Sequence, residues 1–118
     1  MTVAFVYVTT ADAAEASRIG RTVVGERLAA CANVIEGMRS IYWWQGEVQE
    51  GQEAVLILKT TAARSAALVA RVAALHSYEC PCVEVLPVIA GHAGFLDWVA
   101  RETESVGAPS GGNLSGPG

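Results

Sequence analysis

Arg39-Ser40-Ile41-Tyr42-Trp43-Trp44-Gln45-Gly46 is the centre of a stretch, Ala32 to Lys59, whose reading decides the fold. Two of the three tryptophans stand there side by side. Ile41, Tyr42, Trp43 and Trp44 are β-branched or aromatic, the residue types that suit a pleated, half-buried surface. Neighbours in a strand point to opposite faces, so Trp43 and Trp44 cannot fill one pocket. One ring is expected to face the chain's own core, and the other needs a second cover. A turn is expected at Glu50-Gly51, followed by a second apolar run from Ala54 to Leu58. Two such runs about a Gly-containing turn read as a hairpin. With a first arm starting near Ala32, it is far longer than a typical strand of about five or six residues. Such a hairpin is expected to reach past its own domain. Glu36-Gly37 breaks the first arm and reads as a bulge or bend.

Upstream, Val3 to Val8 is apolar on both faces apart from the Tyr7 hydroxyl and reads as a central strand, ended by Thr9 and Thr10. Asp12, with Glu15 three residues on, makes a capping box for a first helix. Ala16, Ile19, Gly20, Val23 and Arg27 recur at helical spacing, with Val24 and Leu28 widening the stripe. Gly20 on that stripe suits a strand packed close against it, and Arg27 at its edge reads as a snorkelling side chain. Downstream, Thr60 or Thr61 can cap a second helix whose inner stripe is Leu68, Val72, Leu75 and His76, with Val69 beside it. That helix must stop before Pro81. Val83 to Ala90 reads as a fourth strand, and Pro87 within it favours an edge or a bulge. Phe95, Leu96, Trp98 and Val99 form the apolar side of a short third helix opened by Gly91.

This order is the split βαβ arrangement, so the expected fold is an α+β, ferredoxin-like sandwich with a long hairpin over residues 1–105. The Gly/Pro/Ser-rich remainder, 106–118, reads as a flexible tail. Two helices cover one face of the sheet. The other face is apolar too, because Val3 to Val8, Ala54 to Leu58 and Val85 to Ala90 are apolar in both registers. Monomers seldom expose apolar patches beyond a few hundred Å². Burial of that face by other copies of the chain is therefore expected.

Composition narrows the function. At 118 residues, with 52% hydrophobic and 17% charged residues, the chain can bury a core and is not a disordered segment. A net charge of −4 argues against nucleic acid as partner. No apolar run approaches the roughly 18 residues of a membrane helix, so no membrane partner is expected. No basic segment followed by an apolar one opens the chain, and its three cysteines are an odd number. Both features fit a reducing cytoplasm.

Cys80-Pro81-Cys82 carries the most chemistry. In an extended chain, residues two apart face the same way, so both thiols would project together with Glu84 next along. Thiolates suit copper(I) or zinc and His76 can add a nitrogen, making His76, Cys80 and Cys82 the candidate metal ligands. A closed zinc site wants about four ligands. A disulfide within the pair is disfavoured in a strand, where Cα atoms two apart lie near the upper limit of about 6.8 Å. The plainer reading of His76 is a helix-end residue meeting the last carbonyls. Cys31 reads as a small buried hydrophobe, and His92 as a surface residue at a helix start. With two histidines and no Gly-rich phosphate loop, the chain lacks the outline of an enzyme. An alternative is a metabolite-sensing or protein-interaction module without a metal role, using clefts between copies lined by Tyr78, Glu79, Lys59 and a neighbour's hairpin.

Four blocks in order, Leu28-Ala29-Ala30-Cys31-Ala32-Asn33-Val34, Arg39 to Gly46, Leu58-Lys59-Thr60 and His76-Ser77-Tyr78-Glu79-Cys80-Pro81, resemble the CutA divalent-cation tolerance family. Phe95-Leu96-Asp97-Trp98 resembles its closing helix. The resemblance implies a ferredoxin-like fold, a homotrimer with hairpins exchanged between neighbours, a cytoplasmic role tied to copper and other divalent metals, and a likeness to the PII signalling proteins. No catalytic reaction is implied. In some members copper is assigned to a cysteine ending the first strand and two adjacent histidines ending the second helix. Those positions here are Val8, Leu75 and His76, so His76 alone matches. Ser77 replaces the family's usual proline, and Cys82 its glutamate.

Overall fold

The computed structural model describes residues 2–104; the expected boundary at 105 and the tail at 106–118 lie outside the described residues. In chain order the elements are β1 (Val3–Thr10), α1 (Ala13–Gly25), β2 (Cys31–Trp44), β3 (Glu47–Thr61), α2 (Ala62–Leu75), β4 (Val83–Pro87) and α3 (Ala93–Glu102). The strands form one antiparallel sheet in the order β2-β3-β1-β4, with β3 inserted between β1 and β2. This is the α+β arrangement the sequence pointed to. β4 is an edge strand, as Pro87 favours, and ends at Pro87 rather than at Ala90.

Alternate residues of β1 and β3 face α1 and α2. Val6, Val8, Ala54, Leu56 and Leu58 join Ala16, Ile19, Val23, Leu68 and Val72 in one core. Gly20 permits the closest approach: a Cβ there would stand 3.0 Å from Ala32 Cβ of β2. At the start of α1, Asp12 accepts a hydrogen bond from Glu15 N (2.8 Å). Glu15 Oε1 returns to Ala11 N (3.0 Å), one residue upstream of the usual capping box. Thr61 stands at the N-cap of α2 without a side-chain cap bond, while the Thr60 hydroxyl donates to Leu28 O at 2.8 Å.

Arg27 is not on the helix stripe. It follows the end of α1 with φ 64° and donates to Glu102 Oε2 at 2.6 Å, tying the end of α1 to that of α3. The expected snorkelling side chain is thus an ion-pair tether.

The second sheet face carries Phe5, Tyr7, Val55 and Ile57 on β1 and β3. α3 lies over one end of it, where Lys59 Nζ sits 5.4 Å from the Phe5 ring centroid and 5.3 Å from that of Phe95. Val55 on this face is buried, but its flanks are open: Ile35 is 52% and Leu86 48% exposed.

β1 pairs only with residues 54–61 of β3, so the rest of the hairpin continues beyond the sheet as a two-stranded ribbon. The 14 residues of β2 span about 46 Å at a strand's rise, which accounts for the 48 Å long axis of the molecule. A register shift between Ile35 and Met38, with Gly37 at φ 77°, is the expected bulge. The turn is at Gln45-Gly46, not at Glu50-Gly51. Gln45 and Gly46 have φ of 50° and 82°, the pair of positive angles a two-residue type I′ turn requires. Glu50 and Gly51 pair with Ile41 and Ser40 inside the ladder.

Trp43 shares a face with Ile41 and Val48, and Trp44 shares the opposite one with Tyr42. They are 74% and 45% exposed, so neither enters the chain's own core as one was expected to. Both stand past the last residue of β3 that pairs with β1, where the described residues supply no layer to bury them. Among the described residues no helix is long and apolar enough to cross a membrane.

Candidate functional site

The ends of β1 and α2, the start of α1 and the base of the hairpin meet around His76. α2 stops at Leu75 without a basic residue in its last turn. Arg18 of α1 supplies one, its Nη2 donating to Leu75 O at 3.2 Å, where a cation complements the helix terminus. The His76 side chain is fully enclosed. Its Nδ1 accepts from Tyr78 N at 3.0 Å, and its Nε2 lies 2.7 Å from Thr9 O. A backbone N–H only donates and a carbonyl only accepts, so this geometry gives Nδ1 the acceptor role and Nε2 the donor role. His76 therefore bonds across to β1 rather than to the last carbonyls of its own helix, and neither nitrogen is spare.

Glu15 completes the junction. Its Oε2 accepts from Ser77 N at 2.8 Å while Oε1 holds Ala11 N. Burial raises its pKa, but hydrogen bonds from Ser77 and Ala11 outweigh burial and leave it below the usual carboxylate value. The Tyr78 hydroxyl donates to Glu53 Oε2 at 2.7 Å on the first residues of the ribbon. Burial, then this carboxylate, pushes the phenol well above its ordinary range, so it stays protonated. The Tyr7 hydroxyl donates to Met38 Sδ at 3.7 Å beside it.

Cys80 and Cys82 both precede β4, in a segment that bends through residues 77–80. Neither residue therefore lies within β4, although Cys82 O accepts from Thr9 N of β1 at 3.4 Å. Cys80 is exposed and Cys82 half-buried. The Cys82 thiol donates to Glu84 Oε1 at 3.6 Å, and burial, followed by the Glu84 charge, pushes its pKa up. Cys31 is half-buried at the start of β2, opposite Lys59; burial raises its thiol and Lys59 partly offsets the rise. His76, Cys80 and Cys82 are thus close in sequence without converging. Among the described residues no group of three or more His, Cys, Asp or Glu side chains is placed to hold a metal ion. Lys59 and Glu53 are six positions apart on β3 (59 − 53), about 20 Å at a strand's rise. Lys59 and the Tyr78 phenol bonded to Glu53 therefore do not line one cleft within a single chain. His92 is an exposed N-cap whose Nδ1 accepts from Phe95 N at 3.3 Å.

The junction thus fixes protons in place: His76 is engaged by two backbone groups, and the Tyr78 and Cys82 protons are held by Glu53 and Glu84. Fold and junction together define a small α+β protein whose locked base carries a projecting apolar hairpin. The model of the CutA1 divalent ion tolerance protein matches residues 4–102. The divalent-cation tolerance protein CutA of Thermus thermophilus is 47% identical over 88 residues, covering 75% of this chain and 85% of that one. Protein CutA 1, chloroplastic, of rice is 39% identical over 98 residues, covering 83% of this chain and 55% of that protein, so the chain spans about half of that relative. The solved Thermus thermophilus structure superposes with a TM-score of 0.83 at 42% identity, covering 86% of this chain and 99% of that one. This chain belongs to the CutA1 divalent ion tolerance family.

Proposed function

We propose that the chain serves divalent-cation tolerance, copper included, as a non-catalytic cytoplasmic homotrimer with a ferredoxin-like fold resembling the PII signalling proteins. The observation that carries this reading is the hairpin. Ile41, Tyr42, Trp43, Trp44 and Val48 are 45–74% exposed in the single chain, on both faces of one ribbon. Apolar surface of that kind marks a protein–protein contact. Two-sided exposure suits a ribbon inserted between neighbours better than one laid on a flat partner. The strand order β2-β3-β1-β4 supports the ferredoxin-like reading. Family membership supports the tolerance role, and three free thiols support a reducing compartment. The test is growth of cells lacking their own family member in raised copper. Expression of this chain is expected to restore growth, and Trp43→Ala/Trp44→Ala to fail. No restoration by the parent chain sinks the tolerance role.

The occupied nitrogens of His76 favour a second reading, a metabolite-sensing or protein-interaction trimer without a metal role. Thermal shifts distinguish the two: stabilisation by zinc or copper(I) supports the first, and stabilisation by nucleotides alone supports the second.

A further inference from the structure

We propose that the Tyr78 hydroxyl is the clasp of a hinged hairpin, holding the ribbon at a fixed angle to the sheet and linking that angle to the junction around His76. The hinge lies where the ribbon leaves the sheet. β1 pairs with β3 no further than Ala54, and the register of β2 shifts between Ile35 and Met38. Gly37 sits in that shift at φ 77°, a backbone state open to glycine, with nothing within 4 Å of where a Cβ would stand. A bulge bends and twists the strand that carries it, so the ladder alone does not set the exit angle.

One rung supplies the missing restraint. Met38 and Glu53 are ladder partners and form the first pair beyond the shift. Each meets a tyrosine hydroxyl from a different element: Tyr7 donates to Met38 Sδ at 3.7 Å, and Tyr78 to Glu53 Oε2 at 2.7 Å. A thioether is a weak acceptor, whereas a hydrogen bond to a carboxylate is about twice as strong as a neutral one. The Tyr78 bond is therefore the stronger half of the clasp. Among the described residues, none of 39–52 makes a hydrogen bond or ion pair outside the hairpin, so no second polar tie restrains the ribbon further out.

Tyr78 is itself held by the junction. Its N–H donates to His76 Nδ1 at 3.0 Å, and its ring centroid lies 4.7 Å from that of the imidazole. Ser77 N donates to Glu15 Oε2 at 2.8 Å, and His76 Nε2 lies 2.7 Å from Thr9 O. A continuous run of contacts thus leads from the end of β1 and the start of α1 to the base of the ribbon. A change that displaces residues 76–78 withdraws the phenol from Glu53 and frees the ribbon to swing about Gly37. On the assembly reading above, on which this one consequence rests, the swing loosens the presentation of Trp43 and Trp44 to neighbouring copies.

A two-stranded ribbon is marginal by itself, so its amide protection depends on how firmly its base is held. Hydrogen exchange read by mass spectrometry on the full chain therefore tests the clasp, with ribbon peptides from 36–53 compared with peptides of α1 and α3. Tyr78→Phe keeps the ring beside His76 and removes only the hydroxyl. It is expected to speed ribbon exchange about tenfold or more, the worth of a hydrogen bond to a charged group, and to leave α1 and α3 unchanged. Glu53→Ala should match it, and the double variant should add nothing to either single change. Glu53→Gln keeps an acceptor and should fall between the parent and Glu53→Ala. Unchanged ribbon exchange in Tyr78→Phe, an acceleration shared by α1 and α3, or Glu53→Gln as fast as Glu53→Ala would each overturn the clasp. Native mass spectrometry of the same samples separates the two readings: a monomeric parent removes assembly, while the exchange rates still decide the clasp.

Discussion

At His76 one imidazole bridges Thr9 O and Tyr78 N, with its side chain fully enclosed, so its worth lies in the two backbone groups it satisfies. His76→Ala removes its bond to both in a buried site, and a buried unsatisfied group costs about 1–3 kcal/mol. The variant is expected to lose about 2–4 kcal/mol on urea unfolding; an unchanged midpoint would mean that water takes over both bonds. Glu15 predicts the acid limb. Its folded pKa lies below its ordinary value, so its contribution is fully present above the unfolded carboxylate value and is lost as pH falls through the folded one. The stability gap between the parent and Glu15→Gln should be widest near neutrality and close below about pH 4. A gap that stays constant to pH 2 contradicts that role. Half of this junction was readable in the chain: Asp12 and Glu15 announce a helix start by their spacing alone. The other half was not, because Glu15 meets Ser77 across 62 positions and His76 meets Thr9 across 67. Local spacing carries no trace of contacts that only the closed sheet creates.

At the scale of elements the hairpin was legible in its length, its bulge and its alternation, since each follows from neighbouring residues. Its turn was misplaced because Glu50-Gly51 and Gln45-Gly46 both offer a glycine. What separates them is register: only the second lets Trp43 face Val48 while both arms stay in the ladder. Gly46 at φ 82° makes this testable. An L side chain in the left-handed region costs about 1–2 kcal/mol, so Gly46→Ala should destabilise by that order in thermal unfolding. Gly51→Ala, in extended backbone with open space around its Cβ position, should be close to neutral. The reverse order would place the turn back at Gly51. The core placement expected for one tryptophan failed for a related reason. Alternation sorts residues between faces but says nothing about where the layer beneath them ends, and here it ends with the β1 pairing at Ala54.

The whole molecule is a sheet with one covered face, one half-covered face and a ribbon with neither. Trp43 and Trp44 add large apolar surfaces that the described residues leave exposed, and truncation of a buried aromatic costs about 3–5 kcal/mol. If copies of the chain bury the ribbon, Trp44→Ala should lower the apparent melting temperature and make it depend on protein concentration, as linkage to assembly requires. A melting temperature unchanged from the parent at every concentration would mean that the ring is as exposed in solution as in the single chain. The most direct measurement is native mass spectrometry of the reduced chain at low micromolar concentration. A predominant homotrimer is predicted, and a predominant monomer would contradict the claim that the projecting hairpin exists to be covered by its own copies.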